Sequence, residues 1–301
     1  MKGVNLNSVA ITPKLCSVNL QNPITVPLTE RLSARLYTDS RPHCMETAPL
    51  HKGLVLMFDN QEIIEEGMGF GVPIAKYVDK TYFSGSANMS IQENQSVLNI
   101  KKTYILDTIS RKKFWRSGYI DDGIYSIARK TFAKLYLKHK RVSPLFNSVM
   151  ILRNMAKIKT EFQKVKPKGA VTVNYEILPE VIKVSVDFSD LMLDGCEELL
   201  VLNEQGSSIF DKYVDSSGLK LAGSKIGGWD PVTEKKAFLL STEKKVAFCL
   251  EKNKKAALFR GWENTRQRFS WAGLNYSLNP NNWIFDYSIC FDFREANAIL
   301  A

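Results

Sequence analysis

The chain has 301 residues, a formal net charge of +10, 45% apolar residues and 24% charged residues. That balance suits a globular protein with a large core and excludes a disordered or low-complexity class. No stretch reaches the roughly 18 apolar residues that span a bilayer as a helix, and Met1–Leu20 lacks a continuous apolar segment of the secretory type; a soluble, cytoplasmic protein is expected.

Residues 1–50 are punctuated by Pro13, Pro23, Pro27, Pro42 and Pro49 and read as short edge strands or an arm across the fold. From Gly53 strand follows strand. Gly53–Phe58, a turn at Asp59-Asn60 and Glu62–Glu65 form one hairpin. Gly69–Tyr77 and Thr81–Ile91 form a second across Val78–Lys80. Val97–Ile109 and Phe114–Ile120 form a third, with its turn at Arg111-Lys112-Lys113. The period then changes. Ile124, Ala128, Thr131 and Leu135 share one helical face, and Leu145, Val149, Leu152 and Ala156 share another. Ser143 before Pro144 supplies an N-cap and a first helical residue. Two amphipathic helices, about 123–141 and 144–163, are predicted as a hairpin inserted over 122–165. Strands resume at Ala170: Val171–Ile177, Val181–Phe188, Glu197–Leu202, Lys236–Leu240, Lys245–Leu250, Lys255–Arg260, Trp271–Leu278 and Trp283–Phe293. Short turns between sequential strands give antiparallel neighbours. The fold class is therefore mainly β: a single domain over 1–301 built as a large antiparallel β-sandwich, with a basic α-helical hairpin inserted in it.

The charge is concentrated. Arg111–Lys168 holds sixteen Lys and Arg against three acidic residues, +13, whereas the whole chain carries +10, which leaves −3 for the rest. Lys130, Lys134, Lys138 and Arg141 fall on one helical face, and Arg153 and Lys157 repeat the spacing on the second helix. Such a face is a solvated surface, a dock for an anionic polymer, or a contact with an anionic membrane surface. No motif for sequence-specific nucleic-acid binding is present.

Chemical motifs are few. The five cysteines, Cys16, Cys44, Cys196, Cys249 and Cys290, include no CxxC, and His43, His51 and His139 form no HxH or HxxxH; no metal site and no cofactor is expected. Cys249 and Cys290 lie in apolar strand patterns and read as small buried hydrophobes. Gly67-Met68-Gly69-Phe70-Gly71 precedes Val72-Pro73 and a strand, not a helix, so it reads as a bulge or a close strand crossing. The densest chemistry is Arg260-Gly261-Trp262-Glu263-Asn264-Thr265-Arg266-Gln267-Arg268-Phe269-Ser270-Trp271. Indole faces suit the apolar side of a pyranose, and Arg, Glu and Asn bond hydroxyl or acidic groups. Arg260, Trp262, Arg266, Arg268 and Trp271 are therefore candidate substrate-binding residues, with Trp229 and Trp283 as neighbours. The competing reading places the tryptophans in the core and the arginines on rim carboxylates. For acid–base chemistry, adjacent carboxylates on a strand face opposite ways, so a working pair must come from distant strands; Asp122 with Glu263 is one candidate.

The long antiparallel series, with Gly169-Ala-Val-Thr-Val-Asn-Tyr-Glu-Ile, Ile182-Lys-Val-Ser-Val-Asp-Phe and the tail from Trp271-Ala-Gly-Leu to Phe293, resembles the large sandwich of galactose-mutarotase-like proteins and polysaccharide lyases. The likeness covers residues 53–293 and rests on pattern. It implies a supersandwich with a sugar-active concave face, where those families place histidine with a carboxylate. A carbohydrate-binding or carbohydrate-active protein is the first functional expectation; a non-enzymatic scaffold engaging an anionic partner through the basic hairpin is the alternative.

Overall fold

The computed structural model describes residues 23–29, 31–40, 50–59, 61–62, 67–78, 80–94, 97–115, 118–120, 159–265 and 269–301. By contacts the chain divides into two units, residues 1–107 with 167–301, and residues 108–166.

The described residues are mainly β. Four short strands, β1 (Ile24–Pro27), β2 (Leu32–Leu36), β3 (Val55–Phe58) and β4 (Gln61–Glu62), form one antiparallel sheet. The others join a second sheet: β5 (Gly69–Tyr77), β6 (Thr81–Asn94), β7 (Val97–Trp115), β8 (Gly118–Ile120), β9 (Lys159–Leu178), β10 (Val181–Asp187), β11 (Cys196–Gln205), β12 (Lys212–Asp215), β13 (Lys220–Ala222), β14 (Gly228–Val232), β15 (Lys236–Ser241), β16 (Val246–Glu251), β17 (Ala256–Thr265), β18 (Phe269–Leu278) and β19 (Ile284–Cys290). Its order is β13-β12-β15-β16-β19-β10-β9-β7-β6-β5-β11-β18-β17-β14, with β8 on β7.

Alternation decides which face is buried. Along β10, Ile182, Val184 and Val186 turn inward. Along β19, Phe285, Tyr287 and Ile289 do so, while Ile284 and the polar Asp286 and Ser288 turn out. The inner faces of the two halves of the sheet meet. Phe70 of β5 lies edge-on to Phe248 of β16 at 5.1 Å, and Tyr276 of β18 lies 4.9 and 5.0 Å from Phe285 and Tyr287 of β19. The sheet is thus folded over into a sandwich, with β5, β11, β18 and β17 in one layer and β16, β19, β10 and β9 in the other. Strand β6 joins the layers. It pairs with β5 only through Tyr82 and Thr81, then runs along β7 from Phe83 to Asn94. A bulge at Gly85 eases the change of layer, and a Cβ there would lie 1.8 Å from Asp107 Oδ1.

Tyrosine hydroxyls stitch the core. Tyr175 Oη donates to Phe70 O at 2.9 Å and lies 3.3 Å from Tyr104 Oη, while Tyr287 Oη donates to Asn203 Oδ1 at 2.7 Å. Lys102 is fully buried, and its ammonium donates to Tyr37 O and Lys52 O at 2.9 and 2.8 Å. Burial lowers its pKa to about 7.

Three sequence expectations change. Arg111-Lys112-Lys113 is not a turn: β7 runs unbroken through it to Trp115, which pairs with Gly118 of β8. The hairpin predicted over 122–165 falls largely on residues 121–158, outside the described residues, together with Asp122 and the whole Lys130, Lys134, Lys138, Arg141, Arg153 and Lys157 face. At its C-terminal end the helix expected to 163 is instead β9, which starts at Lys159; Thr160, Phe162 and Val165 carry the β propensity there. The last strand ends at Cys290 rather than Phe293. A helix, α1 (Phe293–Leu300), follows, with Asp292 capping its first turn by accepting Glu295 N–H at 2.9 Å. Among the described residues no helix is long and apolar enough to cross a membrane.

Candidate functional site: a glycine-floored trough

The outer face of the β5–β11–β18–β17–β14 layer carries the chemistry. Register places Gly69 and Gly273 on either side of Glu204, Gly261 opposite Gly273, and Gly228 opposite Gly261. One row crossing five strands therefore has a single side chain, that of Glu204. With neighbouring strands about 4.8 Å apart, the row from Glu204 to Gly228 is roughly 14 Å long. Gly228 marks the open end: nothing lies within 4 Å of the place a Cβ would take.

Aromatic residues border the row. On one side Phe259 stacks on Trp229 at 5.5 Å with the planes 17° apart. Trp229 also packs against the apolar cluster of Leu50, Met68, Val72, Ile74, Leu200 and Leu202. On the other side Trp271 pairs with Glu263 across β17 and β18, and its indole N–H donates to Glu263 Oε2 at 3.3 Å. The Trp271 ring lies over Gly261, where a Cβ would approach Trp271 Cη2 to 2.4 Å. Trp229, Glu263 and Trp271 are all partly exposed.

Glu204 closes the other end and is 7% exposed. Met68 N–H donates to its Oε2 at 3.2 Å and Asn275 Nδ2–H to its Oε1 at 3.4 Å. Asn275 Oδ1 in turn accepts Asn203 N–H at 2.6 Å, which fixes the amide's orientation. Glycine makes room: a Cβ at Gly273 would lie 2.9 Å from Glu204 Cγ and 3.1 Å from Asn275 Nδ2. Burial drives the Glu204 pKa up to about 7, against the pull of Met68 N–H, Asn275 and the Lys52 charge. A carboxyl near neutrality, held by donors beside an aromatic cleft, has the properties of a proton-transfer group.

The residues singled out from sequence are dispersed by strand alternation. Trp271 and Glu263 face the trough. Trp262 and Arg260 face the other way. Trp262 donates its indole N–H to Ser207 O at 3.2 Å and packs on the main core. Arg260 Nε and Nη1 donate to Ile226 O and Pro231 O at 2.9 and 3.0 Å, and its guanidinium lies 5.1 Å from the Tyr213 ring. Trp283 is largely exposed, on the loop before β19. Arg266 and Arg268 lie outside the described residues, as does Asp122, so the Asp122–Glu263 pair has no geometry here. Sequence reading missed Glu204, Asn275 and the glycine row. One signal was available: Asn203-Glu204-Gln205 continues an apolar strand with three polar residues, so alternation had to bury at least one of them. All three are buried.

The opposite layer has its own concavity, an open groove of about 440 Å³ lined by Asn99, Asn174, Glu176, Lys183, Ser185 and Asp286 among others. Its Glu176 and Lys183 neutralise each other at 2.8 Å, and it offers no aromatic platform beyond the edge of Tyr287. Among the described residues no group of three or more His, Cys, Asp or Glu is placed to hold a metal.

No family model matches the chain. No curated protein matches it in sequence. Solved structures similar to it include the α-N-acetylgalactosaminidase NagBb from Bifidobacterium bifidum in its GalNAc complex, with 7% identity, a TM-score of 0.46, and coverage of 89% of this chain and 35% of that one. The chain thus spans about a third of that protein's length. They also include galactose 1-epimerase from Lactobacillus acidophilus NCFM, with 8% identity, a TM-score of 0.31, and coverage of 90% of this chain and 93% of that one.

Proposed function

We propose that the trough binds a carbohydrate, with Trp271 and Trp229 as ring platforms and Glu204 exchanging a proton with a sugar hydroxyl at the closed end. The observation that carries this reading is the row of glycines ending at Glu204. It lets the Trp271 ring settle over Gly261 and the Glu204 side chain over Gly273, and it leaves the sheet open at Gly228, so an aromatic ring and a carboxyl share one strip. Aromatic walls favour the C–H faces of a pyranose, while Glu204 and Glu263 meet its hydroxyls. The carboxyl groups of Glu204 and Glu263 repel an acidic ligand, so neutral sugars are the expected class.

The test is tryptophan fluorescence on titration with a panel of neutral and acidic oligosaccharides. Wild type should show a saturable change with a neutral member. Trp271→Ala should weaken binding roughly five- to tenfold, as loss of about 1 kcal/mol of ring contact requires. Glu204→Gln should remove the pH dependence of binding near neutrality. No saturable change with any sugar of the panel, in protein with a native circular dichroism spectrum, overturns the proposal.

A further inference from the structure

Cys249 and Cys290 are forty-one positions apart in sequence and directly opposed across β16 and β19. They are also the only register pair between those strands, whereas β19 pairs with β10 at seven positions. The β13-β12-β15-β16 ribbon therefore pairs with the rest of its sheet at the single register position of two cysteines. Opposed residues of antiparallel strands have Cα atoms about 4.5–5.5 Å apart, inside the range of about 4.4–6.8 Å that a disulfide bridges without moving backbone. Both thiols are free.

The pair is also asymmetric. Cys249 is 1% exposed, beneath Ala296 of α1, and Cys290 is partly exposed. The two sulfurs act on each other, lowering the Cys290 pKa to about 7 and raising that of Cys249. The Lys236 charge adds to the lowering at Cys290, while burial, Glu251 and Glu295 oppose it. Lys236 itself is anchored by Glu295 at 2.5 Å. A partly exposed sulfur with thiolate character beside a buried thiol is the arrangement of an attacking and a resolving cysteine.

From the register, the seam and the unequal exposure of the two sulfurs, we infer that Cys249 and Cys290 form a peroxide-reactive dithiol whose oxidation locks the β16–β19 seam with a disulfide. The oxidant is a hydroperoxide, with hydrogen peroxide as the simplest. The Cys290 thiolate attacks one peroxide oxygen, the O–O bond breaks, and Cys290 becomes a sulfenic acid as hydroxide departs. Cys249 sulfur then displaces the sulfenic oxygen, forming the S–S bond. The departing oxygens take up the two thiol protons, so two thiols and one hydrogen peroxide give one disulfide and two waters.

The experiment treats the reduced full chain with hydrogen peroxide, alkylates the remaining thiols and maps peptides by mass. The expected product is a 249–290 cross-linked peptide that dithiothreitol splits, with Cys196 still alkylated. Oxidised protein should melt roughly 5 °C or more above the reduced form, given a closed loop of this length and a chain of this size. Cys290→Ser should abolish both the cross-link and the shift. Wild-type mapping does not depend on the variant, so a Cys290→Ser chain that misfolds leaves the test intact. Recovery of both cysteines as free thiols, conversion of Cys290 to a sulfinic acid with Cys249 still alkylated, or a cross-link to a different cysteine each overturns the inference.

Discussion

Replacing Glu204 with glutamine isolates the energetic consequence of burying that carboxyl. Its folded-state pKa of about 7 lies above the ordinary value of 4.5. Protonation therefore favours the fold. The stabilisation is complete below about pH 4.5 and is lost as pH rises through about 7. A move of that size, at about 1.4 kcal/mol per tenfold, corresponds to on the order of 3 kcal/mol. Gln is neutral like the protonated acid, but its NH2 must face one of the two donors that the carboxyl accepts, Met68 N–H or Asn275 Nδ2–H, so the variant carries an offset that does not change with pH. Between pH 4.5 and pH 8 the variant should gain on the order of 3 kcal/mol relative to wild type. With an m-value near 3 kcal/mol/M, the difference in urea midpoint should move by about 1 M over that range. Other titrating groups cancel in the difference between the two proteins at each pH. Urea unfolding at half-unit intervals from pH 4.5 to 8, followed by tryptophan fluorescence, makes the measurement. A difference that stays flat with pH would refute the reasoning, because it would mean that Glu204 is ionised throughout and well solvated.

Two further perturbations probe the same layer and its neighbour. Lys102→Met should remove the part of the stability that rises between about pH 7 and 10.5, since the ammonium is disfavoured in the fold and its cost builds as pH falls from about 10.5 to about 7. The variant is therefore weakest relative to wild type at high pH; urea curves at pH 6, 8 and 10 check this. Gly261→Ala should cost about 1–3 kcal/mol while forcing the Trp271 ring off its seat, because the new Cβ would lie 2.4 Å from Cη2. Its expected signature is a red-shifted Trp271 emission and weakened sugar binding in a protein that still folds.

Much of the strand pattern was legible because period-2 alternation survives wherever one face is dry. The Val171–Val186 hairpin is the clearest case: Val181 pairs with Leu178, as the Leu178-Pro179-Glu180 turn required. What resisted reading had local causes. Arg111–Lys113 looks like a turn because of its charge, yet three long polar side chains can ride a strand. The short strands β12, β13 and β14 hold their places through their neighbours, β14 with Gly228 in the glycine row, features that carry no hydrophobic period. At the site, aromatic and arginine density drew attention to residues 260–271, but a strand divides adjacent residues between two faces. Trp262 and Arg260 went to the core face, and Trp271 and Glu263 to the trough. Glu204 was hidden because nothing in its own segment shows that Gly69, Gly261, Gly273 and Gly228 lie level with it. That alignment exists only once the register of five strands is set.

The two ends of the large sheet have one more consequence. The path begins at β13 and ends at β14, and these are consecutive in sequence, joined by the single 3-10 turn Gly223–Ile226 and Gly227. Gly227 O accepts Trp262 N–H at 2.8 Å, and Gly223 N–H donates to Asp211 O at 2.8 Å, so the connection is tied to both ends it links. Each margin is short, three residues in β13 and five in β14, and Pro231 removes an amide from the latter. A ribbon this wide would ordinarily offer another chain two templates for strand addition. Here both margins are short and one carries a proline, so each is a poor template for strand addition.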